Sequence, residues 1–329
     1  MQKIVLDLGE YSAVKTAPFV GRWRYEKQMS LHTEGHLRAI ALGVGSAFST
    51  RMFQSNFILV KGDTAVFVDL GTSVTLRLAE FHLSVHDIKH LMITHSHADH
   101  IGSLEELALK RRYEAPLLEM AKRDGETPQA YMERIIAARR SGEFRPTLYV
   151  PPFYAEELWE MSLRGGLAFS EEVDLKGPEG GMVFENFFQI VHPTPCPAEY
   201  TRCWEVTVGP IHIKTFVTRH VPDAAIEEDT PHMYSVGLVV DGRLYISGDT
   251  QFDPETVDAL GSDCEVLWHD CQHFSGGVHA NYNEMKTLPP AIRSRMHLYH
   301  LSDGMLDIDV KKDGFAGHLE PAPVVYDFE

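Results

Sequence analysis

Four side chains of the metal-binding type lie within six residues, directly after a short apolar run. Residues 91–102 read LMITHSHADHIG and hold His95, His97, Asp99 and His100 in H-x-H-x-D-H order. Imidazole and carboxylate are the donors expected for zinc, and for manganese or iron of similar geometry. The alternative is a chance cluster of surface histidines, but this order just past an apolar strand favours a metal site. We expect His95 and His97 to share one ion, and Asp99 and His100 to face a second.

A two-metal site needs further ligands at the ends of other strands. Three residues occupy such positions: His220 after IKTFVTR, Asp249 in RLYISGDT and His300 in MHLYH. They are candidates because ligands of open α/β sheets bind in the crevice beyond the carboxyl ends of the strands. His192, after FQIV, is the rival of His220, but its HPTPCP context predicts a loop that turns away.

The elements that must position these residues alternate between strands and helices. Residues 56–69, NFILVKGDTAVFVD, predict two strands with a turn at Gly62 and Asp63, followed by the helical stretch SVTLRLAEFH. Strand followed by helix recurs in three later segments, and YSVGLVVDGRLYIS predicts a second hairpin that turns at Asp241 and Gly242. Hairpins mixed with strand–helix units predict mixed sheets covered by helices, an α/β layered fold.

Composition and charge exclude several classes of protein. A chain of 329 residues that is 44% hydrophobic can bury a large core, so disorder throughout is excluded. No run approaches the roughly 18 apolar residues of a membrane span, and MQKIVLDLGE lacks the apolar region of a signal peptide. We therefore predict a cytoplasmic protein with no membrane partner. A net charge of −17 disfavours extended nucleic acid as a partner, although it is compatible with a local basic patch.

The four cysteines include no C-x-x-C pair, which predicts reduced thiols instead of a disulfide framework at Cys196, Cys203, Cys264 and Cys271.

The chain divides into three predicted regions: an N-terminal extension, a catalytic domain and a C-terminal tail, at residues 1–39, 40–310 and 311–329. The extension is expected to add a strand or an oligomer contact. Residues 114–143 predict a helical insertion, two helical patterns on either side of a Gly/Pro break. Around it, residues 110–145 hold nine Lys/Arg and six Asp/Glu. A solvated helical hairpin is the favoured interpretation of this mildly basic arm, ahead of a substrate lid or a nucleic-acid arm.

The ligand candidates also carry a family resemblance. In chain order they resemble the metal ligands of the metallo-β-lactamase superfamily: His95, His97, Asp99, His100, His220, Asp249 and His300. LGVGSAFSTRMFQSNFILV and FVDLGTSVTLRL, near residues 42–78, are similar to the opening strands of its ribonuclease Z and phosphodiesterase branch. The resemblance spans about residues 40–305, except the insertion. It implies a four-layer αββα sandwich, two divalent ions with zinc ahead of manganese or iron, and a homodimer.

Other branches of the superfamily fit the residues less well. Flavodiiron proteins have Glu where His97 stands, and class B lactamases usually have a Cys ligand where this sequence offers Asp249. In ribonuclease Z a HEATF-like motif supplies a glutamate with a partner histidine, positions that Asp270 and His279 would take here. The last ligand, however, stands in HLSDG and not in HFSxRY. The sequence therefore looks more like phosphodiesterases of small substrates.

The implied chemistry is hydrolysis of a phosphodiester. Two ions bridged by Asp249 would hold a bridging hydroxide at neutral pH, which Asp99 could orient and deprotonate. His279, held by Asp270, is the candidate acid for the leaving alkoxide, and an ordinary loop histidine is the alternative interpretation. Two neighbours could take the role of the acid instead, His269 and His273.

We therefore expect a dinuclear metal-dependent phosphodiesterase that hydrolyses a small cyclic nucleotide or a related cyclic phosphate ester. The alternatives are an endoribonuclease of ribonuclease Z type and a non-catalytic nucleotide-binding protein on the same fold. Aromatic residues near these motifs are candidates for the pocket, although core or rim packing is their commoner role: Phe252, Phe274, Tyr282 and Trp268.

Overall fold

The computed structural model describes residues 1–13, 23–169, 181–197, 201–220, 235–274 and 276–329. The strands in these ranges are β1 (Gln2–Val5), β2 (Ser12–Ala13), β3 (Trp23–Arg24), β4 (Leu37–Gly43), β5 (Asn56–Lys61), β6 (Thr64–Val68), β7 (His90–Met92), β8 (Thr147–Tyr149), β9 (Gln189–Val191), β10 (Thr194–Cys196), β11 (Cys203–Val208), β12 (Ile211–Val217), β13 (Val236–Val240), β14 (Leu244–Ile246), β15 (Val266–Asp270), β16 (Met296–Tyr299), β17 (Gly317–His318) and β18 (Val324–Phe328). The helices are α1 (Val74–Glu80), α2 (Ala98–Ile101), α3 (Leu104–Leu109), α4 (Ala115–Glu119), α5 (Pro128–Ser141), α6 (Pro152–Glu157), α7 (Arg164–Leu167), α8 (Pro254–Thr256), α9 (Tyr282–Met285) and α10 (Pro290–Arg293).

Sixteen of the strands form two mixed sheets of eight, and β2 and β3 form a separate pair. The first sheet has the order β1-β18-β4-β5-β6-β7-β8-β9 and the second the order β10-β11-β12-β13-β14-β15-β16-β17. Each sheet changes from antiparallel to parallel pairing, at β6 in the first and at β14 in the second. The mixed sheets predicted from the hairpins and strand–helix units are therefore confirmed.

The strands are apolar at successive positions because both of their faces are buried. In β5, Phe57 and Leu59 pack between the two sheets, whereas Ile58 and Val60 pack under the helices of the first sheet. In β15, Trp268 lies between the sheets and Leu267 lies in the core under the outer helices. Since neighbouring side chains of a strand point to opposite faces, three apolar clusters separate four layers. This confirms the predicted αββα arrangement.

The insertion at residues 114–143 contains α4 and α5. The hydroxyl of Thr127 caps α5 by accepting from the backbone amide of Ala130, and Gly142 ends the helix at a φ of 73°. The chain ends also join the first sheet, because β18 from residues 311–329 lies between β1 and β4. No helix in the described ranges is long and apolar enough to cross a membrane.

One prediction about the cysteines is wrong. Cys196 and Cys203 are partners in the antiparallel β10–β11 register, with Cα atoms 5.6 Å apart, and form a disulfide. Residues seven apart become neighbours because the two strands that carry them pair in antiparallel register. The other two cysteines, Cys264 and Cys271, are free, as predicted, and both are buried.

Candidate metal centre

Polar residues gather at the carboxyl ends of the parallel strands, where the two sheets meet. Such residues follow or end five strands, in the order β6, β7, β14, β15 and β16: Asp69, His95, Asp249, Asp270 and His300. Each of the five side chains is less than 4% exposed. Because parallel strands end at the same edge of a sheet, distant parts of the sequence meet in one place.

The first group of donor atoms comes from three histidines and an aspartate. Nδ1 of His97 lies 2.9 Å from Nε2 of His95 and 3.1 Å from Nε2 of His220. Oδ2 of Asp249 lies 3.7 Å from Nε2 of His95 and 3.9 Å from Nε2 of His220. Burial lowers the pKa of His95 well below its usual value and that of His220 to about 4. Neutral imidazoles with converging nitrogens are suited to bind one metal ion.

The second group shares Asp249 with the first. Oδ2 of Asp249 lies 3.3 Å from Nε2 of His100 and 3.3 Å from Nε2 of His300. Oδ2 of Asp99 lies 3.3 Å and 3.2 Å from the same two nitrogens. A single carboxylate oxygen therefore faces both groups of donors, so Asp249 would be the ligand common to two ions.

The electrostatics of the centre call for added positive charge. Burial opposes ionisation of Asp249, but His300, His100 and His95 outweigh it and hold the pKa of this carboxyl well below its usual range. Oδ1 of Asp249 and Nε2 of His100 are buried with no hydrogen-bond partner among the described residues. Buried polar atoms left without partners are rare in proteins. The donor set therefore fits two divalent cations, and these clusters are compatible with a dinuclear metal site.

Asp69 supports this centre, a role that was not assigned to it from the sequence. Its carboxylate accepts from the backbone amide and the hydroxyl of Thr94 and from Nδ1 of His100, each at 2.7 Å. Because Nδ1 of His100 is hydrogen-bonded to Asp69, the other ring nitrogen, Nε2, points toward Asp99 and Asp249. Asp69 and His300 have positive φ angles of 66° and 58°, a conformation that is costly outside glycine and often found at functional sites. The sequence feature that could have indicated this role is FVDLG, in which Asp69 directly follows an apolar strand.

His279 is held at the edge of the centre. Its Nδ1 lies 2.8 Å from Oδ2 of Asp270, which is fully buried. Its ring lies 4.4 Å from the ring of His300. Burial lowers the pKa of His279, but the hydrogen bond and the charge of Asp270 outweigh that effect and raise it to about 9. The loop is also tied to a ligand candidate, because Nδ1 of His220 donates to the carbonyl of Val278 at 3.1 Å.

The other histidines considered from the sequence lie elsewhere. His269 is buried in the outer core beside Tyr245, and its Nδ1 donates to the carbonyl of Asp270 at 2.9 Å. His273 is exposed and bonded to the hydroxyl of Ser302 at 3.1 Å. His192 donates to the carbonyl of Val150 and belongs to none of the donor groups found in the described ranges.

Two of the four candidate pocket aromatics are buried in the core. Trp268 packs between the sheets, and Tyr282 donates its hydroxyl to Asp313. Phe252 is partly buried against the outer core, whereas Phe274 is 54% exposed. Phe274 is therefore the most exposed of the four.

Two facing mixed sheets covered by helices, with His/Asp clusters at the carboxyl ends of parallel strands, define a protein of the metallo-β-lactamase fold. Solved structures agree. The metallo-β-lactamase fold protein YhfI from Bacillus subtilis matches with a TM-score of 0.61 at 14% identity, over 89% of this chain and 100% of that chain. Human tRNase Z, short form, matches with a TM-score of 0.52 at 17% identity, over 88% of this chain and 98% of that chain. At these identities the similarity establishes the fold alone.

The chain belongs to the Anti-Pycsar protein Apyc1 family, whose family model matches residues 37–121 and 131–325. The Anti-Pycsar protein Apyc1 of Bacillus phage BSP38 is 30% identical over 276 residues, covering 82% of this chain and 91% of that protein. Its counterpart in Paenibacillus sp. (strain J14) is 28% identical over 273 residues, with the same coverage. The superfamily and the branch predicted from the sequence are thereby confirmed.

Proposed function

We propose that this protein is a dinuclear metal-dependent phosphodiesterase that hydrolyses a small cyclic nucleotide or a related cyclic phosphate ester. The observation that carries the proposal is the single oxygen of Asp249 shared by two groups of buried donors. Membership of the anti-Pycsar family, whose members degrade cyclic nucleotide signals, supports the choice of substrate.

We assign each group of donors to one ion, with Asp249 as the common ligand. His95, His97 and His220 would hold the first ion, and Asp99, His100 and His300 would hold the second. Zinc is the metal we propose, ahead of manganese and iron, since all three accept imidazole and carboxylate ligands. When bound, two such ions supply positive charge for the phosphate and lower the pKa of a bound water.

The side chains of the chain itself supply proton transfer and orientation. Burial opposes ionisation of Asp99, but the nearby imidazoles of His100 and His300 outweigh it and hold the pKa of Asp99 far below its usual range. This carboxylate therefore stays ionised and can orient the attacking water by accepting a hydrogen bond from it. His279, protonated through its contact with Asp270, carries a positive charge toward the phosphate. It can then donate its proton to the leaving alkoxide, which completes hydrolysis.

The test is turnover of a panel of 3′,5′-cyclic nucleotides by metal-loaded protein. We expect conversion to linear monophosphates that stops on chelation and in Asp249→Ala. Retained cleavage in Asp249→Ala, or no cleavage of any member of the panel, would contradict the proposal.

The two alternatives gain less support. A ribonuclease that grips a strand with the helical arm would use the cations there, but three of the nine, Lys110, Arg111 and Arg134, pair with glutamates at 2.8, 3.1 and 3.0 Å, and the net charge of the chain is −17. Such an enzyme would bind RNA with a steep dependence on salt. A non-catalytic nucleotide-binding protein would bind without releasing product in a single-turnover experiment. The cytoplasmic location and the homodimer stay predictions.

A further inference from the structure

Two phenylalanines are exposed on loops that are hydrogen-bonded to the residues just after His300, a metal-ligand candidate. Phe48 is 93% exposed and Phe274 is 54% exposed. Single exposed apolar residues are common on protein surfaces, so exposure alone assigns no role to them. What distinguishes this pair is the attachment of both loops to the same short segment, residues 300–303, which begins with the metal-ligand candidate His300.

The loop that carries Phe48 is tied to the backbone beside His300. The amide of Leu301 donates to the carbonyl of Val44 at 2.8 Å, and the amide of Ser46 donates to the carbonyl of Leu301 at 3.0 Å. Phe48 therefore projects from a loop whose first residues are fixed one position away from His300.

Asp303 holds the far side of the same loop. Its carboxylate accepts from the hydroxyls of Ser49 and Thr50, both at 2.6 Å, and from the amide of Arg51 at 3.2 Å. These hydrogen bonds lower the pKa of Asp303 to about 2. Phe48 is thus presented by a loop that is ordered before any ligand arrives, so ordering the loop does not weaken binding.

The loop that carries Phe274 is hydrogen-bonded to the same segment, residues 300–303. His273, its neighbour, bonds to the hydroxyl of Ser302 at 3.1 Å. A few residues later the same loop supplies His279, whose ring lies 4.4 Å from that of His300. Gln251 steadies this part of the loop by donating to the carbonyl of Gly277 at 3.0 Å.

We propose that Phe48 and Phe274 form an aromatic subsite that stacks on the base of a cyclic nucleotide whose phosphate occupies the metal centre. The inference rests on the proposed function, because the metal centre defines where the phosphate lies. Stacking suits these residues, since a phenylalanine offers a flat apolar face and no hydrogen-bonding group. The two side chains are specificity-determining residues, which select substrates that carry a base over those that lack one.

The test compares two substrates of the metal-loaded full chain: a 3′,5′-cyclic nucleotide and ribose 3′,5′-cyclic phosphate, which has no base. For Phe48→Ala and for Phe274→Ala we expect KM for the nucleotide to rise about 10- to 100-fold, with kcat little changed, as expected for loss of one stacking contact. The values for the substrate without a base should not change. Phe48→Trp should restore the KM for the nucleotide.

Phe169→Ala is the matched control, because Phe169 is 73% exposed and follows α7 in the helical layer. It should leave both substrates unaffected. An unchanged KM for the nucleotide in both alanine variants would overturn the subsite. An equal rise in KM for both substrates would also overturn it, because that result indicates a structural role. A change of oligomeric state without a change of KM would overturn it as well, because that result indicates a protein interface.

A binding measurement separates failure of the subsite from failure of the proposed function. The fluorescence of a cyclic nucleotide that carries 2-aminopurine falls when this base stacks. We expect quenching by the wild type and its loss in Phe48→Ala, whether or not the compound is cleaved. If neither substrate is hydrolysed, the proposed function fails; the absence of quenching by the wild type would by itself overturn the aromatic subsite.

Discussion

Nδ1 of His279 lies 2.8 Å from Oδ2 of Asp270, a carboxylate without solvent exposure. The same oxygen accepts from the backbone amide of Thr250 at 3.0 Å, and Oδ1 accepts from that of Ala280 at 3.3 Å. These contacts fix the orientation of the imidazole and keep it protonated beside the metal-ligand candidates. These contacts support the proposal that His279 acts as the general acid.

Replacement of His279 should affect proton transfer and not metal binding. In His279→Gln we expect kcat to fall about 100- to 10,000-fold, the usual contribution of a general acid, with an unchanged metal content. The wild-type rate should fall as the pH rises through the pKa of His279, about 9, because the donor then loses its proton. This alkaline limb should be absent from the pH profile of His279→Gln, whereas His212→Gln, on the exposed side of β12, should keep it. A variant that loses metal, or that keeps the limb, would contradict the assignment.

His220 and His192 offer a matched pair for the metal assignment, since each follows an apolar strand and both were candidates from the sequence. His220 lies in a donor group with Asp249, whereas His192 donates to the carbonyl of Val150. We expect His220→Ala to bind one ion per chain and His192→Ala to bind two, as measured by elemental analysis of the dialysed protein. Two ions in His220→Ala would rule out this ligand.

Asp69→Asn should weaken binding of the second ion. The carboxylate of Asp69 accepts three hydrogen bonds. The side chain of asparagine would turn an N–H group toward at least one of these donors, and that hydrogen bond would be lost. Loss of such support typically lowers metal affinity about 10- to 100-fold. A competition titration with a coloured chelator would measure the change. Asp241→Asn is a suitable control because Asp241 also has a positive φ, on a hairpin where it pairs with Lys61. Equal affinities in the two variants would argue against a supporting role for Asp69.

His297 should make stability depend on pH. Burial, together with the charge of nearby Lys3, lowers its pKa to about 4 from an ordinary value of 6.5. The unfolded state binds this proton first, so the free energy of unfolding should decrease as the pH falls from 6.5 to 4, by up to about 3 kcal/mol from this residue. Denaturant unfolding in the presence of chelator measures the change without a contribution from metal loss.

In His297→Gln this part of the pH dependence should disappear, whereas His212→Gln should behave as the wild type does. A pH dependence shared by all three proteins would exclude His297 as its source.

The ligand candidates could be predicted from the sequence because they lie at the ends of apolar strands. This signal is local and does not require knowing which strands are neighbours in the sheet. The role of Asp69 could not be predicted in this way, since it depends on β6 and β7 being parallel neighbours. The choice among His269, His273 and His279 depends partly on which face of β15 the side chain of His269 takes, since the other two histidines lie in the loop that follows this strand. His269 points to the outer core, on the face of β15 opposite to that of Trp268. A strand that is buried on both faces is apolar at successive positions, so its sequence does not show to which face a given side chain points.

Long-range pairing was the other feature that the sequence left open. Residues 311–329 read as a tail, yet β18 lies between β1 and β4 because its apolar residues complete the first sheet. Likewise, no role was assigned to Asp303 from the sequence, because it stands at the variable position of the HFSxRY pattern. In the structure its carboxylate holds a loop more than 250 residues earlier in the chain.

The most direct measurement of the central claim is hydrolysis of a 3′,5′-cyclic nucleotide by metal-loaded protein in ¹⁸O-labelled water. We predict that the wild type forms a linear monophosphate with one solvent oxygen in its phosphate, and that both chelator and Asp249→Ala abolish its formation. No turnover of any cyclic nucleotide, or a product that forms equally in Asp249→Ala, would contradict the central claim.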